Sequence, residues 1–160
     1  MRALGRILVF VCCFAVGALT ALRTRRRLLC ERACRELMLH GEEKIKRSLC
    51  PRSRLFCDFS SPVLSRMGLL GDLQRGEEPY GVCIRYREAL GLEEKSFECL
   101  KRYFSSLGKL DYSSQLRHCR ECIEEYEGLM KEHERRDGDT VGLYLTLGAA
   151  AGGFLVLLLL

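Results

Sequence analysis

Tryptophan is absent from these 160 residues, and proline occurs three times. So few prolines leave long stretches free of the residue that removes a helix donor and clashes with the turn before it. There is no Asn-Gly pair and no alternating apolar–polar run, so the signals for hairpins and half-buried strands are missing. No glycine-rich phosphate loop occurs, and no nucleophile pattern lies near His40, His118 or His133. The sequence therefore points away from an enzyme and calls for no cofactor. A large excess of one charge is also lacking. Of 26 Lys and Arg, 24 lie in residues 23–139 with all 21 acidic residues, leaving that segment at +3, which does not suit a nucleic-acid partner.

Charge is missing altogether from Thr140 to Leu160, TVGLYLTLGAAAGGFLVLLLL. A helix of 21 such residues is about 30 Å long, the thickness of a bilayer's hydrocarbon core. Residues 140–160 are therefore expected to form a transmembrane helix. Leu4 to Leu22 is apolar except for Arg6 and Thr20, and is expected to form the other. A cleaved signal peptide competes for this first stretch, with Arg2 and Arg6 as its basic start. Against that, Arg23, Arg25, Arg26 and Arg27 follow it where a small-residue cleavage site would stand. Basic residues also flank the inner edges of both stretches: six Arg in residues 23–40, and Lys131, Arg135 and Arg136 before the second. Positive residues stay on the cytoplasmic side, so residues 23–139 are expected in the cytoplasm. The Arg cluster lies where anionic lipid headgroups would meet it.

The middle reads as helices. Cys30, Ala33, Cys34, Leu37, Met38, Gly41, Ile45 and Leu49 recur at three and four residues, one stripe of a helix over about 24–48, with Glu31, Arg35, Glu42, Glu43 and Lys46 on its other faces. Nothing clearly breaks the chain before it, so it is free to continue from the first span, and Pro51 ends it. A short helix is expected over 52–58. Ser60-Ser61-Pro62 signals a helix start, with apolar positions through Leu73. Residues 74–78 read as a loop. Another helix runs from Pro79 to a stop at Gly91. Glu93 and Glu94 favour the next N-terminus, and Phe97, Leu100, Phe104 and Leu107 mark its buried seam up to Gly108. Asp111 caps the longest helix, about 112–136. Tyr112, Leu116, Cys119, Ile123, Tyr126, Met130 and His133 give it a heptad-like seam, with Arg120 and Glu124 among the residues facing away. Asp137-Gly138-Asp139 offers a hinge into the last span. The expected fold is all-α: a cytoplasmic bundle of about six helices between an N-terminal and a C-terminal transmembrane helix.

Ten cysteines demand an account. Cys30, Cys34, Cys83, Cys99 and Cys119 fall on apolar positions of helical patterns, as small buried hydrophobes do in a reducing compartment. Cys119 and Cys122 form a C-x-x-C beside His118, but mid-helix, where no dipole favours a thiolate. With Cys30 and Cys34 they would supply four thiols to zinc across two packed helices. That zinc or thiol–disulfide role in a membrane-anchored bundle is the alternative to a scaffold. In the spans, Gly148 and Gly152 make a G-x-x-x-G, and Gly17 with Ala21 a second small-residue pair, the pattern that lets membrane helices approach closely.

The order of a short first span, an Arg-rich exit, a helical domain and a C-terminal span resembles the stage III sporulation protein AB family of endospore-forming bacteria. Local pieces agree: Ile45 with Pro51, the run Arg85-Tyr86-Arg87-Glu88-Ala89-Leu90, and Leu107-Gly108-Lys109-Leu110-Asp111 with Gln115 and Leu116. The resemblance implies a fold similar to the cytoplasmic domain of type II secretion and type IV pilus platform proteins. It implies a place in the mother-cell membrane facing the forespore, within a channel complex. The implied partners are a stage III sporulation protein AA-like ATPase, other membrane subunits of that complex, the lipid bilayer and further copies of the chain.

Overall fold

The computed structural model describes residues 2–47, 51 and 54–158, with side-chain surroundings given from Val11 onward except for Cys13 and most of 138–158. Seven helices and no strand occur among the described residues: α1 (Arg2–Arg47), α2 (Pro62–Met67), α3 (Leu69–Gln74), α4 (Pro79–Arg85), α5 (Arg87–Leu90), α6 (Glu94–Ser106) and α7 (Tyr112–Leu158). The chain forms two compact units, residues 27–132 and residues 1–26 with 133–160.

In the 27–132 unit, helix ends lie where local chemistry puts them. Ser61 caps α2: its Oγ accepts from the Leu64 amide at 3.5 Å, with Pro62 in the first turn. The Asp111 carboxylate caps α7 by accepting from the Ser114 amide at 3.0 Å, and these bonds hold its pKa well below the usual carboxylate range. Gly91 ends α5 at φ +59°.

Two expected helices are each divided in two. Gly68, at φ +87°, closes α2, and α3 starts immediately after it, so the stretch to Leu73 is a bent pair. Such a φ is cheap only for glycine. Tyr86 leaves helical geometry between α4 and α5. Its hydroxyl donates to Asp72 at 3.0 Å, and Arg85 reaches the same carboxylate at 2.8 Å. Asp72 is thus buried with partners, and it fixes α3 against α4. Residues 54–57 make a tight turn rather than an α-helix, with Cys57 N bonded to Arg54 O at 3.4 Å; it buries Leu55 and Phe56.

One apolar core joins all seven helices. Leu37 and Met38 of α1, Leu64 of α2, Leu70 of α3, Val82 of α4, Leu90 of α5, Tyr103 and Phe104 of α6 and Tyr126 of α7 all belong to it. Phe56 meets Phe104 edge-on at 5.9 Å. Tyr103 is fully buried and donates to Met38 O at 2.9 Å. This hydroxyl reaches α1 where Gly41 leaves room: a Cβ there would overlap it and stand 3.3 Å from the Phe56 ring.

Helices α1 and α7 run antiparallel within this unit. Arg35 binds Glu127 at 2.7 Å, Arg120 binds Glu42 at 2.9 Å, and the Tyr112 hydroxyl donates to Lys46 O at 3.3 Å. As numbers rise along α1 they fall along α7. Glu42 was expected on an outer face, but it is buried, as is Glu31. For Glu42, burial opposes ionisation. Hydrogen bonds from Lys46 and Arg120 outweigh it and hold the carboxyl below its ordinary range.

The second unit holds the two ends of the long helices. α1 runs without a break from Arg2, as the absence of a breaker allows. The expected hinge at residues 137–139 is helical and lies inside α7. Aspartates and glycine have poor helix propensity, but i→i−4 bonding continues through them. Large apolar side chains stand exposed on both segments: Val11, Phe14, Val16, Leu19 and Leu22 on one, Leu147 and Phe154 on the other. Thr20 and Thr146 turn their hydroxyls back to carbonyls four residues earlier, at 2.9 and 3.2 Å. Among the described residues, no helix is long and apolar enough to cross a membrane.

Candidate functional site

The face of the 27–132 unit with the most chemistry is the groove between α6 and α7. It encloses about 700 Å³ and is lined by Tyr80 of α4, by Lys95, Cys99 and Arg102 of α6, and by Glu125 and Leu129 of α7, among others. Residues 95, 98 or 99, 102 and 105 lie on one stripe of α6 because they recur at three and four positions. The opposite stripe, Phe97, Leu100, Tyr103, Phe104 and Leu107, is the buried seam that the sequence indicates. Burial of that seam is what orients the groove-facing stripe outward. Across the groove Arg102 pairs with Glu125.

Cys99 of α6 lies at the floor, with the buried Cys122 of α7 beside it. The Cys99 thiol donates to Cys122 O at 3.2 Å. The Arg102 guanidinium stands 3.9 Å from Cys99 Sγ, and His118 Nε2 is 3.5 Å from Cys122 Sγ. Both cysteines are about 1% exposed, so each is screened from bulk water while the groove reaches Cys99. Side-chain hydrogen bonding from Cys99, distinct from the bond to the carbonyl, with Arg102 and His118 beside it, lowers the Cys122 thiol from its ordinary value against burial. Cys99 moves the other way, raised by its side-chain bond to Cys122 and then by burial. Burial also pushes up Cys34 and Cys119, and Cys83 to about 12. Cys122 is thus set apart from these four.

The residues singled out from sequence are distributed as follows. In the α7 seam, Cys119, Ile123 and Tyr126 are buried, Leu116 and Met130 are half-buried, and Tyr112 is exposed. Gln115 and Cys122 are buried on the same helix. The buried face thus begins one turn after Tyr112 and widens past a strict heptad line. In the other unit Ala21 is buried and Gly17 is half-buried. The surroundings of Gly148 and Gly152 lie outside the described residues. Cys30, Cys34, Cys83, Cys99, Cys119 and Cys122 are buried, Cys57 is exposed, and Cys50 lies outside the described residues. For the four-thiol zinc arrangement of Cys30, Cys34, Cys119 and Cys122, no group of three or more His, Cys, Asp or Glu among the described residues could hold a metal ion. The Cys99–Cys122 pairing went unseen in the sequence, since a separation of 23 residues across a turn carries no spacing signal.

Comparison with known proteins gives one result. Residues 81–160 match the family model described as stage III sporulation protein AB. No curated protein and no solved structure matches the chain.

Proposed function

Because this chain belongs to the stage III sporulation protein AB family, its setting is sporulation, and we propose that it serves there as a non-enzymatic membrane platform subunit. In this reading residues 4–22 and 140–160 are anchors in the mother-cell membrane facing the forespore. The 27–132 unit lies in the cytoplasm and docks a stage III sporulation protein AA-like ATPase. Other subunits of the channel complex, or further copies of the chain, pack against the small-residue positions of the anchors.

The observation that carries the membrane part is the row of exposed apolar side chains at Val11, Phe14, Val16, Leu19 and Leu22, with Leu147 and Phe154 on the other segment. Water-facing surfaces rarely gather so many large apolar groups, whereas lipid accepts them. The Thr20 and Thr146 hydroxyls, bonded back into their own helices, suit a medium that offers them no partner. Arg23, Arg25 and Arg26 then fall at the cytoplasmic edge of the first anchor.

Sidedness and capture test the two halves. An impermeant maleimide applied to intact sporulating cells is expected to miss Cys57, which is exposed on the 27–132 unit, and to label it after permeabilisation. Labelling without permeabilisation would place the unit outside. Full-length protein in detergent is expected to capture the ATPase in a salt-dependent way. Failure across a range of salt concentrations would remove the docking role and leave the membrane assignment standing.

A further inference from the structure

The groove floor has features that a scaffold does not require. We propose that Cys99 and Cys122 form a peroxide-sensitive thiol pair in which Cys122 is the attacking sulfur and Cys99 resolves it into a disulfide joining α6 to α7.

The geometry brings the two residues together, and Cys99 lies between Cys122 and the open groove. Cys122 Sγ has His118 Nε2 at 3.5 Å on its own helix, one turn earlier. Cys99 points its thiol at Cys122, 3.2 Å from that residue's carbonyl oxygen. Arg102 lies 3.9 Å from the Cys99 sulfur and lines the groove beside it. Hydrogen peroxide is small enough to enter a groove of about 700 Å³ that opens on Cys99. Neighbouring Arg and His side chains are among the features that separate reactive cysteines from inert core ones. Hydrogen bonding from the Cys99 side chain, then Arg102 and His118, lowers the Cys122 thiol from its ordinary value against burial, and this favours the thiolate. The groove carries three carboxylates, Glu94, Glu98 and Glu125, and these pair with Arg87, Lys101 and Arg102 respectively.

The chemistry closes with a hydroperoxide, ROOH, as oxidant. The Cys122 thiolate attacks the terminal oxygen. An S–O bond forms, the O–O bond breaks, and the departing RO⁻ takes up the proton the thiol released. Cys122 is then a sulfenic acid. Cys99 sulfur attacks the Cys122 sulfur, an S–S bond forms, the S–O bond breaks, and hydroxide leaves as water with the Cys99 proton. Two thiols and one hydroperoxide become one disulfide, one ROH and one water.

Cys119 does not share this role. It lies one turn from Cys122 on α7, with Gln115 Nε2 3.5 Å from its sulfur. The C-x-x-C spacing is therefore not the redox pair, and the reactive partner comes from α6.

The test uses full-length protein in detergent, reduced, freed of reductant and exposed to hydrogen peroxide. Remaining thiols are blocked, and the protein is digested without reduction for mass spectrometry. The expected product is a linked pair of Cys99 and Cys122 peptides, formed before Cys57 is oxidised. Cys99→Ser is expected to accumulate a Cys122 sulfenic acid that a dimedone probe captures, and Cys122→Ser to abolish both products. Because both sites are buried, Arg102→Gln gives a milder second variant. It keeps helix content and slows Cys122 oxidation several-fold. The proposal fails if Cys57 oxidises first, if Cys119 appears in linked peptides as often as Cys99, or if Arg102→Gln leaves the rate at Cys122 unchanged in a folded protein.

Discussion

Replacing Gly41 with alanine pits two effects of known size against each other. On an exposed helix face the change would stabilise α1 by about 1 kcal/mol. Here the new methyl group meets the buried Tyr103 hydroxyl, which donates to Met38 O at 2.9 Å. Overpacking a filled core costs about 1–3 kcal/mol. Pushing the hydroxyl off its acceptor costs about 1–3 kcal/mol more, because no water reaches it. Packing therefore wins, and Gly41→Ala is expected to destabilise the protein by about 1–5 kcal/mol. Tyr103→Phe removes the obstructing oxygen. The ring carbon left behind would lie 3.6 Å from the new methyl, an ordinary contact, and the Phe56 ring at 3.3 Å needs to give only slightly. Alone, Tyr103→Phe is expected to cost about 1 kcal/mol. In its background Gly41→Ala becomes neutral or stabilising, so the cycle shows a coupling of at least about 1 kcal/mol. Thermal and denaturant unfolding of the full chain in detergent, followed by circular dichroism, measures all four proteins. A Gly41→Ala protein as stable as the parent, or a double variant no better than additive, would refute the packing described for Tyr103.

Other changes separate glycine positions that look alike in sequence. Gly71→Ala in α3 meets nothing within 4 Å and is expected to raise stability by up to about 1 kcal/mol. Gly68→Ala, at φ +87° with the Tyr86 hydroxyl 3.0 Å from the added carbon, is expected to lower it by about 1–2 kcal/mol in the same unfolding assay. Ser61→Ala removes the α2 cap and is expected to cost about 1 kcal/mol, with Ser61→Gly milder. The Cys122 thiol sits at about 6 in the folded protein against 9.0 for an ordinary thiol, so the folded state binds fewer protons between those values. Its contribution is complete above pH 9 and is lost as pH falls through 6. His40, held low by burial and then by Lys44, adds the same sign near pH 6.5. Cys34, Cys83, Cys99 and Cys119 are raised and give the opposite sign as pH nears that of an ordinary thiol, so Tm is expected to rise from about pH 6 to about 8 and to turn over above that, with Cys122→Ser flattening the rise.

Much of the bundle was legible in the chain because it is written in local chemistry. The Ser61-Pro62 start, the Gly91 stop, the Asp111 cap and the apolar stripes of α1 and α6 are each set by residues within one or two turns. What escaped depends on partners far away in sequence. Gly68 reads as a weak helix residue until its left-handed φ is known. Tyr86 interrupts the helix after Arg85 where its hydroxyl binds Asp72, 14 residues earlier. Glu42 looks like a solvent-facing charge until Arg120 covers it from α7, 78 positions on. The groove thiols were hidden for the same reason. Their nearness belongs to the α6–α7 packing, whereas sequence spacing joins Cys122 only to Cys119.

The polar links between α1 and α7 also constrain how the protein is made. Arg35 finds Glu127 only after 92 further positions have been synthesised, and Lys46 O waits 66 positions for Tyr112. Contacts this distant in sequence slow the search for the native state. On the ribosome the opening helix therefore carries Arg35, Glu42 and Cys34 without their α7 partners until the closing helix arrives. A nascent chain stalled before residue 112 should be a chaperone client, and one released beyond residue 127 should not.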